Sequence, residues 1–594
     1  MKFKLIQTKH KYLLILTILF ISSCSSNLIL NKQNKLYQHV KYLASDELEG
    51  RFPGTKGDLL AAKYIKDEFE KNNLVMLDKN GFQYFDFIAG IELGENNILK
   101  FKNSNYLVNE NFVPLSFGKS TQIEKEIIFA GYGLTIDEDT LKWNDYKEID
   151  ASNKWVMILR GSPDGNNPHS TYYAHTSLRK KAINAKDNNA AGVIFISGKE
   201  FDLEDNLINL NYEQSQQDIG IPVIHIKRNV ADEILKSKKL TIEELEKTIN
   251  SNLNNFYAFK VEEKLNVQTD IRIINKSTQN VLGLIEGNDE ELKDEYIVIG
   301  AHYDHIGYGG EGSGSRRPYL NQIHNGADDN ASGVSILIEL SKYFSKHNNR
   351  RSILFIAFGA EELGLIGSKY FVNSNIIPME KIQIMINMDM VGRLNDEQII
   401  NVSGTNTAIG LENQLANIIT NFGIKSTFSS NGYGPSDHSN FYINDVPVLF
   451  FFTGGHNDYH TPNDDYQKLN YSGMKIIQNL LASTINYFDT SKKLEFQESG
   501  SKEPRKTARF KVTLGIMPDY VFNKVKGLRI DAVIPNKPAE KAGLQNGDII
   551  IKMLNKPVND IYEYMHRLSE CKSGDTIDVM ILRNNQEIIY KVTL

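Results

Sequence analysis

Five short stretches carry side chains whose types and spacing could do hydrolytic chemistry: AHYDH at Ala301–His305, GADDNASG at Gly326–Gly333, GAEE at Gly359–Glu362, NMD at Asn387–Asp389 and YHTPND at Tyr459–Asp464. Together they supply imidazoles and carboxylates, a donor set that suits zinc. Hydrolysing an amide near neutral pH needs an acidified water, and zinc lowers the pKa of bound water from about 15.7 to about 7. Two ions roughly 3.5–4 Å apart need a bridging carboxylate, terminal imidazoles or carboxylates, and open positions for water and substrate. His302 and Asp304 stand two apart on an extended segment, so their side chains share a face. One can bind metal while the other orients it or a neighbouring ligand.

These residues need elements that bring them together. The apolar runs Tyr296–Gly300, Ile353–Phe358 and Ile382–Ile386 each end directly at a motif, and Ala331–Lys346 has helical periodicity. Short buried strands alternating with helices predict an α/β fold with a mixed, mostly parallel sheet flanked by helices. Ligands in such sheets sit beyond the carboxyl ends of the strands, so the motifs are expected to converge. The glycine-rich segment Gly307–Gly314 lacks the lysine and helix start of a phosphate-binding loop, and reads as a flexible loop at the mouth of the site. His305, His324 and His456 read as residues that hydrogen-bond in loops, or behind the ligands, rather than bind metal.

In this order, the five motifs resemble the co-catalytic di-zinc aminopeptidases, peptidase family M28, which also holds glutamate carboxypeptidases and glutaminyl cyclases. ELEGRFPGTKG and AAKYI near the N-terminus resemble the opening of the same family's catalytic domain. The resemblance implies a zinc-exopeptidase fold and two zinc ions, with His302 and Asp389 on the first, Asp329 bridging, and Glu362 and His460 on the second. It implies Glu361 as general base, Tyr459 as an aromatic residue steadying the oxyanion, and a cis peptide at Asp329-Asn330. SDHSNF at Ser436–Phe441 resembles a further family motif, in which Asp437, like Asp304, would support the ligands or meet substrate. The expected activity is removal of N-terminal residues from peptides. A metallo-carboxypeptidase or glutaminyl cyclase would use the same scaffold, but no arginine clamp for an acidic C-terminal residue can be assigned. A non-catalytic peptide-binding lipoprotein is the remaining alternative. The intact Glu361 argues against it, because a binding scaffold has no chemical need for a general base.

The flanking sequence extends this reading. With 594 residues the chain needs several cores, and its net charge of -6 gives no electrostatic reason to expect nucleic acid. Lys2, Lys4, Lys9 and Lys11, the apolar run Leu13–Ile21 and then Cys24 resemble a bacterial lipoprotein signal over residues 1–24. Lipidated Cys24 would anchor the chain in the cell envelope, on the periplasmic side or at the outer membrane. Cys571, the other cysteine, then has no partner for an intramolecular disulfide and reads as a packing residue. Residues 25–106 are expected to hold a tether and the first part of the peptidase domain, and residues 261–490 the rest of it. Residues 107–260 form short apolar runs with a helix at Ser177–Ala191, and GYGLT, WVMILRG and IPVIHI resemble the protease-associated (PA) domain, here a β-rich insert. After a charged linker at 491–508, residues 509–594 resemble a PDZ domain. Leu514, Gly515 and Ile516 would form its carboxylate-binding loop for a peptide or protein C-terminus.

Overall fold

The computed structural model describes residues 34–138, 141–164, 170–210, 217–252, 257–310, 312–499, 512–519, 525–534 and 537–594. The signal segment and Cys24 lie outside the described residues, as do residues 500–508 of the expected linker. The chain forms two compact units. One runs up to Phe87 and resumes at Lys276–Ser501; the other combines Ile88–Asn275 with Lys502–Leu594.

The first unit is built on a nine-stranded sheet. At its centre Ser352–Phe358, Tyr296–His302, Ile382–Met388 and Val448–Phe452 lie side by side and parallel. These are the expected apolar runs, buried nearly end to end because helices cover both faces. The alternation is clear along each strand. Ile297, Ile299, Phe355, Ile384 and Ile386 point into one core with the helices Lys35–Leu43, Lys56–Lys71, Gly333–Phe344 and Tyr471–Thr490. Val298, Leu354, Ile356 and Met385 point into the other, with Phe371 and Phe441 from the short helices Ile366–Val372 and His438–Ile443. Antiparallel partners at the edges, such as Ile271–Ile285 against Ser352–Phe358, make the sheet mixed.

The second unit contains an eight-stranded sheet. Gln122–Ala130, Trp155–Leu159, Gly192–Ile196 and Val223–Ile226 run parallel within it, and the helix expected at Ser177–Ala191 spans Leu178–Asp187. Ile98–Phe101 belongs to this sheet through pairing with Ala258–Gln268, and Ser104–Tyr106 pairs on its other side. The insert therefore begins near residue 88 and ends near 275, not at 107 and 260. The sequence boundary fell short because the added strands alternate exposed and buried residues, without the continuous apolar runs that marked the central ones.

The C-terminal region forms its own sheet, in the order Ile516–Pro518, Leu528–Val533, Ile549–Met553, Thr576–Arg583, Gln586–Thr593. Gly515 has φ +78°, and a Cβ there would lie 2.1 Å from the Lys537 Cβ, so the turn into the edge strand requires glycine. This region packs on the insert through two helices. Arg567 of Ile561–Ser569 donates to both Asp187 oxygens at 2.5 and 2.9 Å, Lys186 meets Glu563 at 2.7 Å, and Arg179 pairs with Asp560. Cys571 is buried, as expected of a packing residue.

Candidate metal centre

Three of the central parallel strands end at the motifs, and the chain turns at each end. His302 is the last residue of its strand, the GAEE turn follows Phe358, and Asp389 follows Met388. Asp329 lies in the turn before Gly333–Phe344, where its peptide bond to Asn330 is cis, and His460 arrives from the loop after Val448–Phe452.

The side chains converge around Asp329. Its Oδ1 lies 3.2 Å from His302 Nε2, which is 3.4 Å from Asp389 Oδ1. Its Oδ2 lies 3.2 Å from His460 Nε2, which is 3.1 Å from Glu362 Oε2. One carboxylate thus offers each oxygen to a different imidazole–carboxylate pair. Two donors each about 2.0–2.1 Å from one tetrahedral ion would be roughly 3.3 Å apart, so these separations fit two ions sharing Asp329. His302 Nε2, His460 Nε2 and Asp389 Oδ1 are buried without a hydrogen-bond partner, which in a folded interior calls for a cation or another ligand. The residues present therefore fit a pair of zinc ions.

Supporting groups hold these donors. Asp304 Oδ1 and Oδ2 accept the backbone N–H groups of Glu361 (2.9 Å) and Glu362 (3.2 Å), which fixes the turn that carries both glutamates. His460 Nδ1 faces the Gly314 carbonyl at 3.0 Å, so the glycine-rich loop contributes a backbone acceptor. Asp464 Oδ2 accepts from the N–H groups of Asp328 and Asp329 at 2.8 and 3.1 Å, and its Oδ1 pairs with Arg393 at 2.7 Å. Asp437 is fully buried, and burial followed by the Asp389 charge pushes its carboxyl up to about 7 against the opposing pull of His302. Tyr459 stacks on His460 with ring centroids 3.9 Å apart.

Electrostatics separate the carboxylates into two kinds. Burial pushes Asp329 up, but His302 and His460, each with Nε2 3.2 Å from one of its oxygens, outweigh it and hold the carboxyl well below its ordinary range. Glu361 goes the other way: burial, with Asp389, Glu362 and Asp437 nearby, raises its carboxyl well above the usual range although His302 opposes this. A carboxyl that keeps its proton readily beside one that gives it up easily is the division expected between an acid–base group and a ligand.

His305 has the hydrogen-bonding role expected of it: its Nδ1 turns into the centre, hydrogen-bonded to Glu362 Oε1 at 2.7 Å and 3.8 Å from Asp329 Oδ2. Arg51, within ELEGRFPGTKG, is fully buried and donates to the carbonyls of Leu43, Tyr303, Asn325 and Gly326. It joins the loop after His302 to the loop before Asp329. The hook that delivers it is left-handed at Glu49, Gly50 and Arg51, and a Cβ on Gly50 would come within 2.5 Å of the His324 carbonyl. The glycine and arginine of the motif were visible, but three of the four carbonyl partners of Arg51 lie some 250 residues away or more. His324 hydrogen-bonds Ser315, the loop role expected of it, whereas His456 Nε2 lies 3.2 Å from Asp328 Oδ2 without a hydrogen bond.

Comparison with known proteins agrees with this architecture. Residues 280–485 match the model of Peptidase family M28, residues 125–234 that of the PA domain and residues 503–594 that of the PDZ domain; the chain contains all three. The aminopeptidase YwaD of Bacillus subtilis is 25% identical over 347 residues, 57% of this chain and 62% of that protein. The leupeptin-inactivating enzyme 1 of Streptomyces exfoliatus is 32% identical over 142 residues, 23% of this chain and 31% of that one. The matches thus span less than two thirds of these relatives. Among solved structures, an aminopeptidase from Aneurinibacillus sp. strain AM-1 is similar with a TM-score of 0.46 and 20% identity, covering 79% of this chain and 96% of that one.

Proposed function

We propose that this chain is a two-zinc aminopeptidase that removes N-terminal residues from peptides outside the cytoplasm. The observation that carries this reading is the division of Asp329, one oxygen facing His302 and Asp389, the other facing His460 and Glu362. His302, Asp329, Glu362, Asp389 and His460 would hold the ions. When bound, the ions supply Lewis acidity and make water a competent nucleophile near neutral pH. Glu361, held by Asp304 through its backbone N–H, takes the proton from the attacking water and delivers it to the leaving amine. The Tyr459 hydroxyl would donate to the tetrahedral oxyanion, a reading supported by the stack of its ring on His460.

The M28 domain and the aminopeptidase relatives support the peptidase class. Anchoring through a lipidated Cys24 is supported by the basic head and apolar run before it. Among the described residues, no helix is long and apolar enough to cross a membrane. The PDZ region, with Leu514, Gly515 and Ile516 leading into an edge strand, would capture a peptide or protein C-terminus by strand addition.

The test is hydrolysis of free-amine aminoacyl anilides and their N-acetylated counterparts, before and after chelation. Cleavage of the free-amine set alone, abolished by chelator and restored by zinc, is expected. A zinc-loaded, folded chain that cleaves none of them would overturn the aminopeptidase reading and direct attention to C-terminal substrates or cyclisation of N-terminal glutamine.

A further inference from the structure

The two halves of the centre are not equivalent. His302, Asp389 and Asp329 form one set of donors with mutual distances suited to a single ion. The other set has four members, because His305 joins Asp329, Glu362 and His460, with one donor atom from each within 4.8 Å of all the others. Three features aim His305 there. It stands one residue after Asp304, whose carboxylate pins the glutamate turn, and its own N–H is bonded to the Arg51 carbonyl at 3.3 Å, so its backbone is fixed. Its ring is fully buried, with Nδ1 near two carboxylates of the same half. It also hydrogen-bonds Glu362 at Oε1, the oxygen that Glu362 does not turn toward His460, so the two imidazoles meet different oxygens of that carboxylate.

From this geometry we infer that His305 Nδ1 is a fourth protein donor to the metal position of Glu362 and His460, making the two zinc positions unequal. The inference rests on the two-zinc reading above. Zinc with four protein donors has the ligand count of a closed site, whereas three leave a position for water or substrate. The Glu362–His460 position would hold its ion more tightly, and the His302–Asp389 position would exchange first. The chain would then pass through a one-zinc form on partial chelation, with the remaining ion beside Glu362.

The test is a chelator titration of the zinc-loaded full-length chain, with bound metal measured directly, alongside His305→Ala and His305→Gln. The wild-type chain is expected to release its two ions in separate steps. In His305→Ala the slower step should weaken by more than the about 10- to 100-fold that loss of an outer hydrogen-bonding partner costs, and merge with the faster one. Retention of two separate steps in His305→Ala would overturn the inference. So would a zinc-loaded crystal structure in which Nδ1 only hydrogen-bonds Glu362, since a ligating nitrogen lies about 2.0–2.1 Å from zinc. His305→Gln keeps a hydrogen bond to Glu362 within reach: behaviour like wild type contradicts ligation, and behaviour like His305→Ala supports it. A wild-type chain that binds no zinc would instead defeat the two-zinc reading itself, an outcome distinguishable from failure at His305.

Discussion

His225 and His302 occupy similar places in different units. Each is a buried imidazole at the carboxyl end of a parallel strand, Val223–Ile226 for one and Tyr296–His302 for the other. Their surroundings differ in one respect. His225 is satisfied on both nitrogens, by Ser197 Oγ at 3.2 Å and the Ile208 N–H at 3.2 Å, and burial with Arg160 and Lys227 nearby pushes its pKa down to about 3. His302 leaves Nε2 without a hydrogen bond, facing Asp329, Asp389 and Glu361, and those carboxylates raise its pKa well above the ordinary value despite burial. One strand end is closed by its own neighbours, while the other is left open among carboxylates. The side chains that converge on Asp329 thus come from a strand end that leaves a nitrogen unsatisfied, not merely from one that carries a histidine.

The sharpest way to break this comparison is at the acid–base group. Glu361→Gln is expected to lower kcat by about 10²–10⁴-fold while zinc content stays at the wild-type level. His225→Gln should leave kcat unchanged. Equal losses of kcat in the two variants, with both folded, would contradict the assignment of chemistry to one strand end.

Buried cations give the next test. Arg51 spans three carbonyls on the loops around Asp329 and a fourth, of Leu43, at the end of a helix, and although burial lowers its pKa to about 10, it remains charged at neutral pH. Lys181 is equally buried in the second unit, donates to the Leu159 and Gly161 carbonyls at 2.8 and 2.6 Å, and is pushed down to about 7. Removing Arg51 strands buried carbonyls at about 1–3 kcal/mol each, so Arg51→Met should destabilise the first unit severely and weaken zinc binding. Arg51→Lys should recover part of the stability but not the zinc affinity, because a single ammonium cannot span both loops. Lys181→Met should cost less, since near pH 7 about half of the cation is already lost. Thermal unfolding read beside zinc content separates these outcomes.

The smallest effect expected is the pH response of His225. Its folded pKa of about 3 lies below the unfolded value of about 6.5. Between those values the unfolded chain binds the extra proton, so stability falls as pH drops below about 6.5, with the folding constant changing by at most about tenfold per unit. Above pH 6.5 this contribution is constant. Denaturant unfolding of the second unit between pH 7 and pH 4 should therefore show a shallower acid decline in His225→Gln than in wild type; identical declines would show that His225 does not set it.

Much of the centre was legible in the sequence because its chemistry is carried by contiguous words. AHYDH, GAEE and NMD each sit at the end of an apolar run, and buried parallel strands read as such runs. The structure brings together His302, Asp329, Glu361, Glu362, Asp389 and His460, and puts Asp304 behind the glutamate turn. His305 hydrogen-bonds Glu362, as expected of a histidine beside the centre, but its approach to Asp329 depends on which way its ring turns, and no local pattern encodes that. The limits of the insert were misread because alternating edge strands resemble loops interrupted by polar residues.

The sequence by itself determined the donor types, the strands that end at them and the presence of three kinds of domain, since each depends on local pattern. Tertiary structure alone decided which oxygen of Asp329 faces which histidine, that Arg51 ties Tyr303 to Gly326, and that the PDZ region packs on the insert through Arg567 and Asp187. These depend on directions of side chains brought from distant parts of the chain. No local periodicity encodes such directions; they are fixed when the apolar faces of sheet and helices close and each buried polar group must find a partner.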